Sequence, residues 1–87
     1  MNKENLSFGN ATEKMKLGDK VARKGWNGKV MFLFLINGNA WEFTTDVSGV
    51  DEIDTLPFIC MKTADNKLVP WLASQTDVIA DDWCVVE

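Results

Sequence analysis

Apolar residues fall in short runs separated by Gly, Asn and acidic positions, and the spacing within each run predicts its element. Between Leu6 and Lys16, Phe8, Ala11 and Met15 share one helical face, with Ser7 as N-cap and Gly18 as stop. That face is expected to dock the helix on a sheet. Lys20 to Lys24 reads as a brief strand with Val21 inward, and Gly25-Trp26-Asn27-Gly28 as a turn where positive φ is cheap. Val30 to Ile36 is an unbroken apolar run, the pattern of a strand buried on both faces. Asn37-Gly38 is a hairpin signal leading into Ala40 to Phe43, where Trp41 and Phe43 alternate with Glu42. Residues 44–56 are polar and acidic and read as a surface loop. Pro57 opens a further strand through Phe58 to Met61, and Asp65-Asn66 turns the chain back through Leu68 and Val69. Pro70 cannot donate to a ladder, which places that return at an edge. Thr76 to Ala80 predicts a short helix capped by Ser74 or Thr76, and Asp82 to Val86 a last strand.

The pattern adds up to a single α+β domain over 1–87: a small antiparallel sheet of about five strands with two short helices. Two strands that need cover on both faces outrun what two short helices supply. A homo-oligomer is therefore expected, with a second copy covering the remainder.

Composition narrows the function. The chain has 87 residues, 46% of them hydrophobic, including four Trp, five Phe and four Met. No run approaches the ~20 apolar residues of a membrane span, so no membrane partner is expected. The polar start Met1-Asn2-Lys3-Glu4-Asn5 lacks the apolar core of a signal peptide, and a cytoplasmic location is expected. Cys60 and Cys84, far apart and outside any CxxC spacing, read as reduced, buried thiols. There is no histidine. Ser-His and Cys-His nucleophilic pairs are thereby excluded, no metal site is expected, and no cofactor is implied.

The net charge of -4 is unevenly spread. Residues 1–30 carry seven Lys and Arg against three acids, and residues 31–87 only Lys62 and Lys67 against ten acids. An acidic chain is a poor binder of nucleic-acid polymers, whereas a local basic patch suits a small anion.

Three constellations offer chemistry. In Arg23-Lys24-Gly25-Trp26-Asn27-Gly28-Lys29, an indole on a glycine-flanked turn presents a stacking face among cations. Asn27 adds a donor and an acceptor for a sugar or base edge. The alternative is a plain turn whose Trp folds onto the core. In Pro70-Trp71-Leu72-Ala73-Ser74-Gln75-Thr76-Asp77, small polar residues precede a helix, an arrangement that binds anions or simply caps the helix. Asp81 and Asp82 before Trp83 form an acid pair open to general acid–base use or metal binding, or a solvated turn.

Taken together, Val-Ala-Arg-Lys-Gly-Trp-Asn-Gly-Lys at 21–29, Met-Phe-Leu-Phe-Leu at 31–35, Met-Lys-Thr-Ala-Asp at 61–65, Val-Pro-Trp-Leu-Ala-Ser-Gln-Thr-Asp at 69–77 and Ala-Asp-Asp-Trp at 80–83 resemble the phage and prophage family called Thoeris anti-defence type two. The match runs from about Phe8 to the C-terminus and is poorest over 37–56. The resemblance implies a homotetrameric sponge that is not an enzyme. It would sequester, uncleaved, a cyclic ADP-ribose isomer made by Thoeris TIR-domain proteins in an infected bacterium. Some members also sequester cyclic dinucleotides at a separate site. Carried over by position, Trp26 stacks on the ligand with Arg23 and Asn27 nearby; Lys29, read from the turn itself with Arg23 and Lys24, is a phosphate donor. Ser74, Thr76 and Asp77 are ribose or phosphate candidates, and Phe8 lines the pocket. The competing expectations are a nucleotide-signal hydrolase using Asp81 and Asp82, and an inhibitor module that binds a host protein.

Overall fold

In the computed structural model, which describes residues 3–28, 30–38, 48–49 and 54–87, α1 (Phe8–Lys16) opens the chain. The Ser7 hydroxyl accepts from the Asn10 amide at 3.1 Å, satisfying one of the otherwise orphaned first-turn donors. Ala11 and Met15 are buried, and Lys14 and Lys16 lie in the last turn, where the helix dipole favours cations. Gly18 ends it at φ +97°, a conformation that costs a residue with a Cβ. The helix starts two residues later than its sequence pattern suggests. Leu6 is extended and exchanges backbone hydrogen bonds with Trp83 at 2.9 and 3.1 Å.

Among the described residues five strands follow: β1 (Lys20–Arg23), β2 (Phe32–Ile36), β3 (Phe58–Lys62), β4 (Leu68–Pro70) and β5 (Trp83–Val86), with α2 (Gln75–Ile79) between the last two. They form one antiparallel sheet, as the sequence pattern predicts, in the order β4-β3-β2-β1-β5. Register fixes the faces. Val21 lies across from Leu33 and Val85, Leu33 from Met61, Leu35 from Ile59, and Arg23 from Trp83. This face meets α1, and Leu6, Ala11, Met15, Val21, Leu33 and Trp83 make the core. Each large core side chain contributes roughly 1.5–3 kcal/mol by burial.

Two expectations for β2 need correction. β2 begins at Phe32 rather than Val30, because the amides of Val30 and Met31 bond to the Asn27 carbonyl at 3.0 and 2.8 Å and stay in the turn. Of β2 only Leu33 is buried within one chain, and Phe32, Phe34 and Ile36 on the opposite face are half-buried. The strand from Ala40 to Phe43 that Asn37-Gly38 is expected to open lies outside the described residues. β2 already has β1 on one side and β3 on the other, so its C-terminal partner is Phe58–Lys62 across a long connection. Gly38 closes the base of that connection: a Cβ there would sit 2.9 Å from the Thr55 carbonyl oxygen.

The Asp65-Asn66 turn forms as expected, with Asn66 at φ 64° and the Thr63 amide bonded to the Lys67 carbonyl at 2.8 Å. β4 with Pro70 takes the sheet edge. α2 begins at Gln75 with Ser74 as its cap.

Candidate functional site

The turn after β1 is held by backbone bonds where it leaves the strand. The Trp26 amide donates to the Arg23 carbonyl at 2.9 Å, and the Lys24 amide to the Asp82 carbonyl at 3.0 Å. Gly28 lets this turn lie flat on the sheet end, because a Cβ there would come within 2.8 Å of a Val86 methyl. The indole of Trp26 is thus directed toward the end of the sheet and stays half-buried.

Four aromatic rings meet at that point. Trp26 packs edge-on against Trp83 at 5.5 Å and Trp71 at 6.4 Å between ring centroids. Phe8 joins from α1 at 5.3 Å from Trp83 and 6.1 Å from Trp71. Tilted and edge-to-face pairs at such spacings are individually favourable, and together they restrict the tilt of the indole. Trp83 is fully buried, and its ring N–H donates to the Asp77 carbonyl at 2.9 Å.

Beside the aromatics runs an ionic network. Arg23 grips Asp82 through Nε at 2.9 Å and Nη2 at 3.4 Å, and Asp77 through Nη1 at 3.1 Å. The other Asp77 oxygen accepts from the Ser74 hydroxyl at 2.8 Å and the Ser74 amide at 3.3 Å, while the Asp77 amide donates back to that hydroxyl at 3.2 Å. This is a complete capping box. Burial opposes ionisation of Asp77, yet the hydrogen bonds from Ser74 and Arg23 outweigh it and hold the carboxyl below the usual range. The Arg23 hydrogen bond does the same for Asp82. Burial pushes both cysteine thiols up, Cys60 and Cys84 alike, which keeps them protonated.

An open cleft of about 540 Å³ lies on the other side of Trp26. Trp26, Asn27, Gly28, Val85 and Val86 line it. Lys3, Glu4 and Glu87 stand at its rim, with Lys3 paired to Glu87.

The residues singled out from sequence therefore divide. Trp26 and Asn27 face the cleft. Phe8 supports Trp26 indirectly, through Trp71 and Trp83. Arg23, Ser74 and Asp77 are joined to each other, away from the cleft, and Thr76 is exposed on α2. Lys29 lies outside the described residues. The sequence reading left out Trp71, Trp83 and Asp82 as parts of this assembly. Their apolar or acidic character was visible, but the β1–β5 register that sets Trp83 beside Arg23 is a pairing between distant segments.

A model of the Thoeris anti-defense 2-like domain matches residues 6–86. A protein of Bacillus phage SP01 named Thoeris anti-defense 2 is 46% identical over 87 residues, covering 97% of this chain and 98% of its own.

Proposed function

Because this chain belongs to the Thoeris anti-defense 2-like family, we propose that it is a phage anti-defence protein that captures a cyclic ADP-ribose isomer and holds it uncleaved. The observation that carries this reading is the indole of Trp26, braced by three further aromatic rings at the wall of a cleft of about 540 Å³. That volume is in the range of small-molecule sites. A braced indole is an efficient stacking surface, since little motion is lost when a base lands on it. Asn27 beside it supplies a donor and an acceptor for a ribose or base edge.

The rim charges favour a binding unit larger than one chain. Lys3 stands against Glu4 and Glu87, so among the described residues the cleft lining has no surplus of positive charge for a pyrophosphate. The sheet face away from the helices, with Phe32, Phe34, Ile36 and Phe58 half-buried, is apolar enough to seat another copy. We read the protein as a homo-oligomer, a tetramer by family resemblance, in which a neighbouring subunit closes the cleft and adds cations.

Capture works by mass action. To deprive an immune effector of its signal, the protein needs a Kd near ~1 nM, about -12 kcal/mol. Calorimetric titration with cyclic ADP-ribose isomers tests this, followed by heat release and chromatography of the ligand. The reading expects saturable, tight binding and recovery of unchanged ligand. Binding confined to cyclic dinucleotides would reassign the ligand, and a cleaved product would replace capture by catalysis.

A further inference from the structure

Arg23 belongs to the turn motif that points to an anion, and an arginine beside a stacking indole invites assignment to the ligand phosphate. Its surroundings argue otherwise. The guanidinium lies between two carboxylates, bonded twice to Asp82 and once to Asp77. The hydrogen-bonding fork of Arg23 is already taken up by two carboxylates, and with Lys24 near Asp82 the cluster is balanced in charge, which leaves little pull on a phosphate at this point. The three side chains are only partly exposed, Arg23 at 23%, Asp77 at 18% and Asp82 at 37%. What they join is informative. Arg23 ends β1 and its carbonyl receives the Trp26 amide. Asp82 leads into β5, and its carbonyl receives the Lys24 amide on the same turn. Asp77 carries the α2 cap and, through its carbonyl, the indole N–H of Trp83.

We propose that Arg23 and Asp82 form a positioning lock that sets the Trp26 indole at the cleft, and that Arg23 does not contact the ligand. The proposal rests on the reading of Trp26 as the stacking surface. The lock acts where the turn leaves β1: the Arg23 carbonyl receives the Trp26 amide and the Asp82 carbonyl the Lys24 amide, with the side-chain fork fixing their separation. A planar fork bridging two carboxylates is a task that lysine, with a single ammonium, cannot perform. The same fork accounts for Asp82, which is engaged in an ion pair rather than held in reserve as a general acid.

Opposite predictions follow for removing one negative charge. If Arg23 contacted a phosphate, Asp82→Asn would release it and tighten binding of an anionic ligand. As part of a lock, Asp82→Asn weakens binding by about tenfold, the scale of a lost charge-assisted hydrogen bond. The test uses the full chain with Asp82→Asn, Arg23→Lys and Arg23→Gln, each checked by thermal melting. Affinity for the cyclic ADP-ribose isomer is measured at several salt concentrations. Acrylamide quenching of Trp26, obtained by subtracting a Trp26→Phe protein in each background, gives a readout that needs no ligand. The lock predicts weaker binding in all three variants, an unchanged salt slope and a more quenchable Trp26. Unchanged or tighter binding in Asp82→Asn, or Arg23→Lys binding like wild type with Arg23→Gln flattening the salt slope, overturns it. If wild type binds no cyclic nucleotide, the functional reading fails, and the quenching comparison alone then decides the lock. Should one variant not fold, the remaining pair carries the same contrast.

Discussion

At Gly28 the missing side chain is the functional feature. A β-carbon there would sit 2.8 Å from one Val86 methyl and 3.5 Å from the Ala22 β-carbon, so the turn that carries Trp26 would have to lift from the sheet end. Gly28→Ala is expected to destabilise the protein by about 1–3 kcal/mol, the usual cost of overpacking. A lowered midpoint in urea unfolding would show this, and an unchanged midpoint would mean Val86 yields freely. Trp26 and Asn27 stand out in the sequence between glycines and cations; the structure packs Trp26 against the core, as the plain-turn alternative has it, while both residues also line the cleft. Arg23 was visible too, but its role was not. Whether an arginine meets a ligand or a carboxylate depends on Asp77 and Asp82, residues 54 and 59 positions away.

α2 shows how much a short element relies on side-chain bonds. Its five residues are too few for a stable helix in isolation, and none is buried. The Ser74–Asp77 capping box and the Arg23–Asp77 contact hold it. Ser74→Ala removes the cap and is expected to cost about 1 kcal/mol, measured by thermal or urea unfolding. The network also predicts acid sensitivity. Asp77 and Asp82 have folded pKa values below the ordinary carboxylate value near ~3.9, so the unfolded chain takes up their protons first. Their stabilisation is present above that value and is lost as pH falls through it toward the folded pKa. Melting curves from pH 7 down to pH 3 should fall less steeply for Asp77→Asn than for wild type. Parallel curves would show that the ion pairs add nothing to stability. The cap was readable because Ser and Asp three residues apart form a local motif. Ser7 marked the helix start in the same local way, but the pairing of Leu6 with Trp83 did not show, because it joins segments at opposite ends of the chain.

Over the whole molecule, the helices cover one face of the sheet and leave the other to half-buried aromatics. The sequence run Val30–Ile36 signalled two apolar faces correctly in composition, but a single chain buries only the Leu33 side. On the opposite face Phe32 and Phe34 lie 6.1 Å apart between ring centroids, with the ammonium groups of Lys20 and Lys62 at 5.0 and 5.9 Å from the Phe32 ring. If that face seats a second copy, light scattering of wild type should give a mass above the 9.8 kDa of one chain, and Phe34→Glu should return it to the monomer. A wild-type monomer at micromolar concentration would contradict the oligomer. The sheet order was accessible only in outline, since strand pairing beyond the Asp65-Asn66 turn joins segments far apart in sequence. The central claim is that Trp26 is the surface on which a cyclic ADP-ribose isomer is captured. Parallel calorimetric titration of wild type and Trp26→Ala tests it most directly, with melting curves confirming that both are folded. The account predicts that Trp26→Ala loses roughly 5- to 150-fold in affinity, the range of one lost base–aromatic stack. Equal affinity in the two proteins would contradict it.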